Sequence, residues 1–151
     1  MQPINQKSHI IFTFLLSLLL FSSPVLSQTI QWHSWSDKTF ALAEQQNKLV
    51  LLDIGAQWCQ FCKKMDAVTY KDPEVVKIIN NNYIAIKADI EQDNAVKKRY
   101  GTFGVPGTII LNANKTEINK RLGYIAPQQM QWHLLGNLQD ASLTISVRSD
   151  G

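Results

Sequence analysis

Cysteine is nearly absent: Cys59 and Cys62 are the two in 151 residues, and both stand in one Cys-x-x-Cys. That scarcity excludes a disulfide framework holding a loop-rich fold. It also excludes a structural zinc site, which wants four ligands, because His33 and His133 lie far from the pair in sequence. Charge of one sign is scarce too. Lysine and arginine number 15 against 12 aspartates and glutamates, and so even a balance does not build the basic face that nucleic acid requires. The cluster Lys97-Lys98-Arg99 reads as the solvated side of a helix. Long apolar runs are missing as well. Ile10 to Phe21, broken by Thr13 and Ser17, falls short of the roughly 20 residues that cross a bilayer as a helix. No cysteine follows that run to take a lipid, and no repeat or low-complexity tract appears anywhere.

The apolar run has another use. Lys7 is the one charged residue ahead of it, Ser22-Ser23-Pro24 closes it, and Val25-Leu26-Ser27 offers the modest side chains an exporting peptidase accepts. This layout predicts a secretory signal over residues 1–27, and a mature domain over 28–151 that is periplasmic or secreted and carries no membrane insertion. With 45% hydrophobic and 18% charged residues, the remainder suits one globular domain with a single core.

Gln28 to Lys38 reads as an extended arm or short turn, with Trp32, Trp35 and the distant Trp132 taken as packing residues. Phe40 to Lys48 predicts a short helix. Leu49-Val50-Leu51-Leu52-Asp53-Ile54 follows as an almost unbroken apolar run, which fits a strand covered on both faces. Gly55 to Trp58 turns the chain into a helix from Cys59 to about Val68, with Met65 and Val68 facing inward. Asp72-Pro73 starts the next helix, the aspartate capping free amides and the proline fitting the first turn. Val75, Val76, Ile78 and Ile79 form its buried stripe. A strand over Tyr83 to Asp89, a helix over Gln92 to Tyr100 with Ala95, Val96 and Tyr100 on one face, and strands over Thr108 to Leu111 and Thr116 to Leu122 come next. Pro127 opens a closing helix to about Leu138. This order predicts an α/β fold with a central mixed sheet flanked by helices.

The chemistry lies in the cysteine pair. A crosslink closing so short a loop removes little entropy from the unfolded chain, so reactivity is a better reason for it than stability. A cysteine at the start of a helix meets free amides and the positive end of the helix dipole, which lower its pKa and favour the attacking thiolate. Cys59 takes that position, and Cys62, one turn on, can attack the resulting mixed disulfide and release the partner. Asp53 ends the apolar strand ahead of the pair. It is either an ordinary strand-end carboxylate or a buried acid that exchanges a proton with Cys62. Asp66 stands four residues after Cys62 and shares its helix face, either as a second carboxylate or as a plain surface residue. Pro106 is either a trans turn residue or a cis residue that would present the backbone of Val105 to an extended partner. Trp58, Gln60 and Phe61, with Val105 and Pro106, are the expected substrate-binding surface. Nothing in the chain calls for a cofactor or a metal.

The stretch from Leu49 to Met65, LVLLDIGAQWCQFCKKM, resembles the active-site segment of the thioredoxin superfamily, and Gly104-Val105-Pro106 resembles its cis-proline loop. Similarity is greater to the periplasmic C-terminal thioredoxin-like domain of the thiol:disulfide interchange protein and to small exported relatives, where an acid also follows the second cysteine by four and a stretch like Thr69 to Val75 comes next. The resemblance covers roughly Phe40 to Met130. It implies a thioredoxin-like fold, Cys59 as exposed nucleophile, Cys62 as resolving thiol, Asp53 as buried acid, Asp66 as its helper and Pro106 as the cis residue. Gln60-Phe61 stands where many thioredoxins have Gly-Pro, and Gly107 where they usually have threonine. No histidine separates the cysteines, unlike strongly oxidising relatives. The expected function is a thiol:disulfide oxidoreductase, reducing or relaying electrons to protein disulfides as a monomer in contact with a redox partner protein. A disulfide oxidase or isomerase is the alternative within redox chemistry, and a thioredoxin-shaped binding or chaperone module the alternative outside it.

Overall fold

The computed structural model describes the backbone of residues 28–149 and the side chains of residues 28–140. The expected signal over 1–27 lies outside the described residues. Strand β1 (Trp32–His33) precedes helix α1 (Asp37–Gln45), strand β2 (Leu49–Gly55), helix α2 (Gln60–Ala67) and a 3-10 turn (Thr69–Lys71). Helix α3 (Pro73–Asn82), strand β3 (Tyr83–Asp89), helix α4 (Asn94–Tyr100), strands β4 (Gly107–Leu111) and β5 (Glu117–Leu122) and helix α5 (Pro127–Ser149) complete the order.

The five strands form one mixed sheet in the order β1-β3-β2-β4-β5. The β1–β3 and β3–β2 pairs are parallel, whereas β2–β4 and β4–β5 are antiparallel. Alternation along a strand sends successive side chains to opposite faces, and both faces of β2 are covered. Leu51 joins Met65, Tyr70, Val75, Ile79, Ile110 and Leu134 in one core layer, and Val50, Leu52 and Ile54 join Phe40, Val96, Ile109 and Leu111 in the other. This double burial is why the β2 sequence shows no polar alternation. The edge strand β5 is mostly exposed and carries Lys120 and Arg121, a composition that discourages pairing with another sheet.

Local chemistry starts the helices where the sequence indicates. The Asp72 carboxylate accepts hydrogen bonds from the amides of Glu74 (3.1 Å) and Val75 (3.0 Å), with Pro73 as the first helical residue. Asp93 does the same for Ala95 and Val96 at the head of α4. Two buried links tie α5 and the loop entering it to one core layer: the Tyr83 hydroxyl donates to the Leu134 carbonyl at 2.6 Å, and the Thr69 hydroxyl to that of Ile125 at 2.6 Å. Among the described residues, no helix is long and apolar enough to cross a membrane.

Several expectations need correction. The arm contributes a strand, because Trp32 and His33 pair with Ala85 and Ile86. Val68 is exposed, since α2 gives way there to the 3-10 turn. Ala95 is also exposed; Val96 and Tyr100, four apart, carry the buried stripe of α4. Helix α5 runs on to Ser149 instead of ending near Leu138. Trp132 does not pack: it is 66% exposed, because α5 turns Met130, His133, Leu134 and Asn137 to the core and Trp132 falls on the opposite side. The Lys97-Lys98-Arg99 face is solvated as expected, with the Arg99 guanidinium donating to the Lys115 carbonyl at 2.7 Å.

Candidate active site

Strand β2 ends at Gly55, and the turn that follows closes with the Cys59 amide donating to the Ala56 carbonyl at 3.0 Å. Cys59 is the residue just ahead of α2, as expected. Its backbone is extended (φ −77°, ψ 104°) and its sulfur faces the Cys62 amide at 3.1 Å. The two cysteines are joined in a disulfide.

In this closed form Cys59 is only 5% exposed, whereas Cys62 is partly exposed. The expectation of an exposed first cysteine therefore does not hold for the oxidised chain. The Cys59 sulfur is turned over the start of α2 toward Cys62, and its backbone is tied into the turn. What is open to water is the rim: Trp58 and Phe61, on either side of Cys59, are 62% and 60% exposed, and Gln60 is exposed as well.

The Cys62 sulfur faces the sheet. A Cβ placed on Gly55 would lie 3.6 Å from it, so the strand carries no side chain directly beneath the disulfide. Asp53 precedes Gly55 by two residues and shares its face. The carboxyl of Asp53 is therefore the next side chain along the strand from the Cys62 sulfur, and it is 4% exposed. Burial pushes it up to about 6 from an ordinary 3.8, against the opposing pull of Lys87 and of a hydrogen bond from Tyr70.

Sheet register supplies the partners. Asp53 stands opposite Lys87 on β3 and Thr108 on β4. The Lys87 ammonium lies 3.4 Å from one Asp53 oxygen, and the Tyr70 hydroxyl donates to the other at 3.0 Å. Lys87 also pairs with Asp66 of α2, so the ammonium bridges both candidate carboxylates. The Trp32 ring meets the Tyr70 ring edge-on, with centroids 5.0 Å apart, and the Lys87 ammonium sits 5.0 Å above the Trp32 ring. A cleft of about 320 Å³ lined by Trp32, Asp66, Tyr70 and Lys87 gives water access to the outer side of this group. The Lys87 ammonium thus joins Asp53 to Asp66, and Lys87, Tyr70 and Trp32 were not among the expected site residues. A single lysine interrupting the apolar strand Tyr83 to Asp89 was the one available signal.

Gly107 pairs with Ile54, which brings the preceding Val105-Pro106 to the disulfide end of β2. Their peptide bond is cis, Pro106 is buried and Val105 partly so. The Gly123 amide donates to the Pro106 carbonyl at 2.8 Å. Gly104 has φ +102°, and a Cβ on it would lie 3.0 Å from the Leu122 side chain, so glycine suits this loop on both counts. Leu122 itself is exposed, and Tyr124 lies beside Phe61, their centroids 6.5 Å apart, with the Lys64 ammonium 4.5 Å above the Tyr124 ring. Trp58 and Phe61 beside the disulfide, and Leu122 paired with Gly107, are exposed apolar side chains.

The family model Thioredox_DsbH, described as "Protein of unknown function, DUF255", matches residues 18–130. The chain belongs to this family, within the thioredoxin superfamily. Among curated relatives, the thiol:disulfide interchange protein DsbD of Neisseria meningitidis is 33% identical over 97 residues, which is 62% of this chain and 16% of that protein. An uncharacterized protein of Caenorhabditis elegans is 34% identical over 87 residues, 55% of this chain and 12% of that one. The chain thus spans under a fifth of the length of these relatives. Among solved structures, the oxidised C-terminal domain of Neisseria meningitidis DsbD is 30% identical with a TM-score of 0.50, over 63% of this chain and 85% of that domain. A thioredoxin of Thermus thermophilus shares the fold, with a TM-score of 0.63 at 17% identity over 74% of this chain and 87% of that one. The Cys59–Cys62 disulfide at the head of α2 is the feature of this chain suited to thiol–disulfide chemistry.

Proposed function

We propose that the chain is an exported reductase or electron relay that passes electrons to protein disulfides outside the cytosol. The observation that carries this reading is the cysteine pair at the start of α2 with a buried carboxyl two residues behind the glycine that faces Cys62.

In the reduced chain the Cys59 thiolate, favoured by the free amides of α2, attacks one sulfur of a partner disulfide. A mixed disulfide forms, and the other partner sulfur leaves as a thiolate that takes a proton from water. Cys62 then gives its proton to the Asp53 carboxylate, and its thiolate attacks the Cys59 sulfur. The Cys59–Cys62 bond forms, the partner's second sulfur departs and is protonated, and two electrons have moved from the chain to the partner. A dithiol donor protein returns the pair to the reduced form by the reverse exchange. Lys87 steadies the charge on Asp53, and Asp66 holds Lys87. Trp58, Gln60, Phe61 and the backbone of Val105 beside Pro106 form the surface on which the partner rests, a reading supported by the exposed rim around a sequestered Cys59 sulfur.

The reductive direction is supported by the absence of histidine between the cysteines, and the location by the leader-like start and by the name DsbD carried by relatives. Equilibration with glutathione should give a potential nearer about −270 mV than about −120 mV; a value at the oxidising end overturns the direction. Cys59→Ser should abolish turnover of a model disulfide, and Cys62→Ala should hold partner proteins covalently on Cys59. Unchanged turnover in Cys59→Ser would place the chemistry elsewhere.

A further inference from the structure

Two groups hold the Asp53 carboxyl, and they differ in kind. Lys87 is half-exposed, at the end of a flexible stem, and divided between Asp53 and Asp66. Such a partner supplies charge and little orientation. Tyr70 is the opposite. Its ring is buried and lies edge-on against Trp32, and its hydroxyl has one carboxylate acceptor, the Asp53 oxygen at 3.0 Å. A phenol on two torsions, wedged in a core layer, holds a direction that an ammonium does not. Tyr70 also sits in the 3-10 turn directly after α2, the helix that carries Cys62 and Asp66, so it is placed by the same segment as the thiol.

Resting on the reading of Asp53 as proton acceptor, we propose that Tyr70 is a positioning residue: its hydroxyl, braced by Trp32, fixes the orientation and charge state in which Asp53 receives the proton of Cys62. The titratable groups acting on Asp53 are Lys87 from β3, Asp66 and, once reduced, Cys62 from α2, and Tyr70 from the turn; the β4 neighbour, Thr108, is neutral. A hydroxyl donating to a carboxylate favours the anion, so its loss makes Asp53 a weaker acid and moves proton acceptance from Cys62 to higher pH.

Tyr70→Phe deletes one oxygen and keeps the ring against Trp32. The Asp53 carboxyl, followed by carbon NMR in the oxidised protein, should then titrate about one pH unit higher. Alkylation of Cys62 in a reduced Cys59→Ala background should shift the same way, and in an added Asp53→Asn background Tyr70→Phe should shift it no further. In the unaltered protein the Tyr70 ring carbon bearing the hydroxyl should titrate with the Asp53 midpoint, a measurement that decides the matter even where Tyr70→Phe fails to fold. A flat Tyr70 resonance, an unmoved Asp53 midpoint, or an equal alkylation shift without Asp53 would each overturn the proposal. None of these readouts needs turnover: a chain without reductase activity would sink the proposed function and leave this coupling standing, and loss of the coupling would leave the disulfide chemistry intact.

Discussion

At the scale of the residue, the buried Asp53 carboxyl lowers the stability of the folded chain at neutral pH. Its folded pKa of about 6 lies above the ordinary 3.8, so the folded chain binds this proton more tightly than the unfolded chain does. Below about pH 4 both states are protonated and nothing is lost. Between about 4 and 6 the unfolded carboxyl ionises first and stability falls; above 6 the loss is complete, at about 3 kcal/mol. Asp53→Asn should therefore be more stable than the unaltered protein at pH 8, and the difference should vanish near pH 4. Urea denaturation of the oxidised forms at the two pH values checks this, and a difference that does not depend on pH would contradict it. The presence of an acid at that position was legible, because Asp53 interrupts the apolar run Leu49 to Ile54. Its burial was open until the opposite strands were known, since a carboxylate at a strand end is as often wet as dry.

At the scale of the element, turn and cap chemistry was the most readable layer. Asp72-Pro73 starts α3 as written, and Pro127 starts α5. The Asp72 carboxylate does more than cap, because it also accepts from the Gln131 side chain of α5 at 3.1 Å. Asp72→Ala should cost about 1–2 kcal/mol of unfolding free energy, measured in urea, and leave the reduction potential of the cysteine pair unchanged. A shifted potential would mean that α3 bears on the site. Strand β1 was not readable as a strand: two residues carry no alternation, and Trp32–His33 becomes a strand because β3 offers its edge. The exposure of Trp132 has a related cause. A helix hydrophobic on more than one side does not announce which side meets the sheet, and Tyr83 and Thr69 decide it by binding carbonyls at the core side of α5 and its entry.

At the scale of the whole molecule, the sheet divides the core into two layers, and the redox cluster belongs to one of them. Leu52 lies in the other, fully buried between Asp53 and Leu51 along β2 yet pointing away from both. Leu52→Ala should cost roughly 2–5 kcal/mol in denaturant unfolding, while the Asp53 midpoint stays where it was. Movement of that midpoint would show that the layers are coupled through the backbone of β2. The order of most elements, the helix starts, the placement of the cysteine pair at the head of α2 and the type of chemistry such a pair suits are written in neighbouring residues and follow from local pattern alone. That Lys87 stands beside Asp53, that Tyr70 and Trp32 pack against them, and that Cys59 is sheltered when the bond is closed emerge from the folded arrangement. Those contacts join residues many positions apart through strand register and layer packing, which no local pattern encodes.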